Sequence, residues 1–99
     1  MRIALVCAAA LAVTPVVASA QDQVAGRDLA ASCAMCHGTD GRGAVGYEPL
    51  AGMAKADLVR KFTEFRSGAK PATVMHQISK GYTDPQIQLI ADYFSAQRK

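Results

Sequence analysis

The sequence predicts an all-α fold in one small domain, on three observations. No stretch alternates apolar and polar residues for long enough to make a strand. Apolar residues recur at three- and four-residue spacing around Leu29, Leu58 and Ile90. Thr83-Asp84-Pro85-Gln86 reads as a capping box, with proline in the first turn where its missing N–H has no helical partner to lose.

Each element follows in order. A first helix is predicted from about Val24 into the segment 33–37, with Val24, Leu29 and Cys33 on one face and Ala30 beside them. A loop follows, because Gly38, Gly41, Gly43, Gly46, Pro49 and Gly52 interrupt any regular element. A second helix is predicted over 56–67. Leu58, Phe62 and Phe65 share one face of it, and Gly68 closes it. Beyond Pro71, a short helix over about 72–80 stops at Gly81. The last helix opens at Thr83 and turns Ile87, Ile90, Ala91 and Phe94 inward, flanked by Leu89 and Tyr93.

Residues 1–20 stand apart from this pattern. Arg2 precedes an apolar run over 3–13, Pro15 breaks it, and Ala18-Ser19-Ala20 ends it. A basic start, a short apolar centre and an A-x-A end describe a signal peptide, cleaved here after Ala20. The run is shorter than the ~20 apolar residues of a spanning helix. The expectation is an exported, periplasmic domain over 21–99 with no membrane span once the signal is removed.

Composition then narrows the function. The domain 21–99 has 79 residues, a formal charge of +2, and Cys33 and Cys36 as its cysteines. That charge is too mild and too dispersed for a nucleic-acid binder. Two cysteines are too few for a disulfide scaffold. A domain under ~80 residues rarely stabilises itself from its core alone. This one has six aromatic residues and no tryptophan, so something else is expected to fill its centre.

Cys33-Ala34-Met35-Cys36-His37 supplies that something. A dithiol redox site of the C-x-x-C type belongs near a βαβ pattern, and no strand is predicted. A structural zinc site needs four ligands, and His76 with scattered carboxylates makes no second paired cluster. Covalent haem attachment accounts for all five residues. Cys33 and Cys36 each form a thioether to one porphyrin, and His37 becomes the first axial ligand of the iron. The second ligand comes from Met35, Met53, Met75 or His76. Met35 sits inside the attachment segment and cannot reach the opposite face. Met75 lies 38 residues beyond His37, past a whole helix that carries the chain round the porphyrin edge, and is the preferred candidate. Methionine opposite histidine raises the reduction potential, as suits an electron carrier.

Gly26, Leu29, Cys33, Cys36 and His37, with Tyr93 and Phe94 in the last helix, are the residues on which the domain resembles a class I cytochrome c. The resemblance implies helices wrapped around one covalent haem c. It implies a crossing of the first and last helices at the small glycine and the aromatic. It also implies that Pro49, twelve residues after His37, offers its carbonyl to the histidine ring. The stretch FRSGAKPATVMHQISKGYTDPQIQLIADYF, residues 65–94, is similar to the cytochrome subunit of flavocytochrome c sulfide dehydrogenase. That similarity implies Met75 as the distal ligand, an FAD-containing sulfide dehydrogenase subunit as electron donor, and a downstream soluble acceptor. With one C-x-x-C-H, this is a single-haem version, and no catalytic residue is expected in the chain itself. Arg66, Lys70 and Lys80 are candidates to rim the haem edge, with a solvated face as the stronger reading. The alternatives are a free shuttle between another periplasmic dehydrogenase and a terminal oxidase, a haem sensor with a labile sixth ligand, and a zinc module.

Overall fold

The computed structural model describes residues 9–10 and 16–99. Most of the predicted signal peptide, including all but two residues of its apolar run, therefore lies outside the described residues. The helices are α1 (Val16–Ala30), α2 (Ala34–His37), α3 (Lys55–Ser67), α4 (Met75–Lys80) and α5 (Asp84–Ser95). Short 3-10 turns cover Ala31–Cys33 and Thr39–Gly41. Among the described residues there is no strand, only an isolated bridge between Ala44 and Tyr47. No helix among them is long and apolar enough to cross a membrane.

α5 is the centre of the molecule. It packs against α1 and against α3, and α4 packs on α3. The predicted inner face is the observed one: Ile87, Ile90, Ala91 and Phe94 are all buried. They meet Ala30 of α1 and Leu58 and Phe62 of α3 in one cluster. Each fully buried leucine, isoleucine or phenylalanine of the cluster contributes about 1.5–3 kcal/mol. The capping box forms as read. The Gln86 amide N–H donates to Thr83 Oγ1 at 3.3 Å and the Thr83 N–H donates to Gln86 Oε1 at 2.9 Å.

Helix ends differ from expectation at two places. α1 starts at Val16, well before Val24, because no glycine or proline interrupts 16–25. Val24 is also exposed instead of inward. Five residues before Leu29, it lies about 140° round the helix. The face that packs is Gly26, Ala30 and, more loosely, Cys33. α4 starts at Met75 and not near Ala72. Thr73 and Val74 are β-branched and stiff at χ1, and Val74 sits outside the helical region at φ −133°.

Two glycines permit the tight centre. A Cβ on Gly26 would come within 2.4 Å of the Leu89 carbonyl oxygen, so the α1–α5 crossing depends on its absence. Gly41 has φ +73°, and a Cβ there would fall 2.7 Å from the Phe94 ring. Tyr93 ties the same turn down, its O–H donating to Asp40 Oδ1 at 2.6 Å. That bond, and then partial burial, raise the Tyr93 phenol above its ordinary value of 10.0. The folded state therefore holds the phenol proton more tightly than the unfolded chain. The bond's contribution is complete below about pH 10 and is lost as pH rises through the folded-state value. Tyr93→Phe should flatten the alkaline fall of the urea midpoint. A fall as steep as in the parent protein would contradict this.

Candidate haem-binding site

The Cys-x-x-Cys-His segment begins where α1 tightens. Cys33 closes the 3-10 turn and the next turn, α2, carries Cys36 and His37. Backbone angles at Cys33 remain helical, φ −66° and ψ −25°. Side chains three apart on such a turn share a side. Both thiols are free and half-buried. Cys33 packs against the core cluster, and burial pushes its thiol pKa up. Dithiol redox centres work the other way, lowering the nucleophile's pKa to expose a thiolate. Among the described residues no three of His, Cys, Asp and Glu converge as a metal cluster. The Cys33 surroundings thus differ from those of a redox dithiol, and the described residues offer no four-ligand zinc set.

His37 is oriented by the loop that follows it. Gly38 turns the chain at φ +83°, and the Gly43 N–H returns to donate to the His37 carbonyl at 2.6 Å. Further along, the Glu48 carbonyl lies 2.6 Å from His37 Nδ1. A carbonyl can only accept, so Nδ1 carries the proton and Nε2 presents a lone pair. Tyr47 meets the same ring edge-on, at 6.1 Å between centroids. The acceptor had been expected one residue later, at Pro49. Pro49 instead shapes the acceptor. It makes the Glu48 carbonyl part of an X–Pro bond and biases Glu48 towards extended backbone. Its own ring packs near Gly43.

The distal candidates separate by surroundings. Met35 is 91% exposed. Met53 and Met75 both pack against the core cluster. Met53 also lines a cavity of about 390 Å³ with Arg42, Pro49, Ala51 and Lys99, whose lining includes neither thiol nor His37. Met75 opens α4 and packs against the cluster that Cys33 also touches. His76 Nδ1 and Ser79 Oγ on the same helix are buried without a hydrogen-bond partner. Two free thiols, an imidazole with an available Nε2 and a thioether on the core cluster that Cys33 also touches fit haem c. Of the predicted rim cations, Arg66 is engaged within the fold, pairing with Asp84 and donating to the Tyr82 carbonyl. Lys70 lies 5.4 Å from the centre of the Phe65 ring.

Sequence reasoning missed Glu48 and Lys61. Lys61 Nζ lies 2.5 Å from Glu48 Oε1, tying α3 to the loop that orients the histidine. No sequence signal marks this contact, because the register of a carbonyl inside a glycine-rich loop is set by tertiary packing.

An all-helical domain that aims one imidazole beside two free thiols is an electron-transfer haem protein by its chemistry. The cytochrome c family pattern matches residues 23–97, so this chain belongs to the cytochrome c family and carries haem c, one group for its single domain. It is 39% identical over 69 residues to the cytochrome subunit of sulfide dehydrogenase from Chlorobaculum tepidum, matching 70% of this chain and 63% of that one. Cytochrome c-554(548) of Halomonas halodenitrificans is 37% identical over 82 residues, 79% of this chain and 99% of that protein. The cytochrome c4 structure from Acidithiobacillus ferrooxidans superposes with a TM-score of 0.69 at 29% identity, covering 78% of this chain and 50% of the other. The chain thus spans less than two thirds of the sulfide dehydrogenase subunit and half of the cytochrome c4 chain.

Proposed function

We propose that residues 21–99, exported to the periplasm and freed of the signal peptide at Ala20, accept electrons from an FAD-containing sulfide dehydrogenase subunit and pass them to a soluble acceptor. The orientation of His37 by the Glu48 carbonyl, beside two unpaired thiols, is the observation that carries the reading. In it, Cys33 and Cys36 would hold the group covalently, and His37 Nε2 and Met75 Sδ would ligate its iron. Haem c supplies a one-electron ferrous–ferric couple. The chain's work is to hold and shield it. The Glu48 carbonyl keeps the imidazole proton on Nδ1, and the apolar cluster under Cys33 and Met75 excludes water. With His37 and Met75 both ligating the iron, substrate would have no coordination site, and the chain would conduct electrons without making or breaking substrate bonds.

Likeness to the Chlorobaculum subunit supports the flavoprotein partner. The Halomonas cytochrome, matched over 99% of its length, supports the second reading by its size alone: a single domain that would shuttle freely from another periplasmic dehydrogenase. Purification of the exported protein under mild conditions separates them. Haem with stoichiometric flavin, and haem reduction on adding sulfide, is the expected result. Haem alone at every salt concentration would discard the flavoprotein complex in favour of the shuttle.

A further inference from the structure

We propose that the Glu48–Lys61 ion pair is a positioning device for the proximal histidine: Lys61 holds the Glu48 peptide where its carbonyl meets His37 Nδ1. The inference rests on His37 being the axial ligand. Besides the bias that Pro49 puts on its backbone, Glu48 has one strong tie, through its side chain. Backbone hydrogen bonds fix its neighbours, Tyr47 to Ala44 and Leu50 to Gly41, but none is made by its own N–H. Pro49 has no N–H to give. What ties residue 48 to the core is its side chain, through the 2.5 Å contact to Lys61 Nζ.

Lys61 is well placed for this. It sits on α3 beside buried Phe62 and three residues after buried Leu58, and its side chain is only 22% exposed. The position of α3 is fixed by that burial. The ion pair carries the fixed position across the loop to the carbonyl that accepts from the imidazole. A surface ion pair adds little to global stability. Its effect here is local, on one hydrogen bond.

The consequence is a change in ligand strength. A firm Nδ1–H···O bond makes Nε2 a stronger donor, which favours the ferric state. Loosening the bond raises the reduction potential. Loss of a cation alone does the opposite, because the more positive ferric state then gains. Lys61→Met therefore gives opposite signs for the two roles, up for positioning and down for simple charge.

The test uses the haem-loaded protein, measuring reduction potential and solvent exchange of the His37 ring N–H by NMR. Lys61→Met and Glu48→Gln should both shift the potential upward. Both should speed ring N–H exchange about fivefold, as expected for weakening one ordinary hydrogen bond. The swapped pair, Lys61→Glu with Glu48→Lys, should recover most of both, and unfolding midpoints should stay close to the parent's. A downward shift in Lys61→Met, or unchanged exchange, would overturn the proposal. Absence of a haem-shifted His37 ring N–H in the parent protein would overturn the ligand assignment as well, before any substitution is made.

Discussion

Met75→Ala should leave haem attached through Cys33 and Cys36 and lower its reduction potential by on the order of 0.1 V or more, within the ~0.8 V that axial ligands span. The methionine thioether is the soft ligand that favours the ferrous state. Met75 is the first residue of α4, and packing against the core cluster holds its side chain in place. Truncation removes the thioether while α4 keeps its contacts with α3. Water or a neighbouring side chain then enters the position, and the methionine-to-iron charge-transfer band at the red end of the visible spectrum disappears. His76 is the nearest replacement in sequence, with an imidazole Nδ1 already buried and unpartnered. Persistence of the charge-transfer band in Met75→Ala would remove Met75 from the site.

His37→Ala should abolish haem incorporation and folding together. The buried hydrophobic set among the described residues is Ala30, Ala51, Leu58, Phe62, Ile87, Ile90, Ala91 and Phe94. Only two of these are aromatic, and three are alanine. A core of that size gives a domain of under ~80 residues no more than about 3–5 kcal/mol. Met75, Met53, Leu50, Val59 and Cys33 lie at its margin, only partly buried. Haem gives that margin something to pack against. Without His37 the protein should show weak helical circular dichroism and no haem absorbance. Native helicity in a haem-free His37→Ala protein would show that the polypeptide core suffices.

Much of this was legible in the sequence because it depends on local chemistry. The capping box at Thr83 and the inner face Ile87–Ile90–Ala91–Phe94 need only neighbours three and four residues away. The Gly68 stop needs only its left-handed backbone, φ +82°. Cys33, Cys36 and His37 declare themselves by spacing. What was misread depends on partners distant in the chain. Val24 looked inward until the Gly26–Leu89 crossing fixed which face of α1 packs. The carbonyl facing His37 belongs to Glu48 because packing sets the loop's register, where spacing pointed to Pro49. Arg66, one candidate for the haem edge, pairs with Asp84, eighteen residues on.

Carbon monoxide added to the reduced, haem-loaded protein at neutral pH tests the central claim, a sealed electron carrier with both axial positions filled from the chain. An unchanged visible spectrum is the predicted result, since the proposed ligands His37 and Met75 would leave the iron no vacancy. Ready formation of a carbon monoxide complex would contradict it, and would make the protein a ligand-binding or sensing haem protein instead.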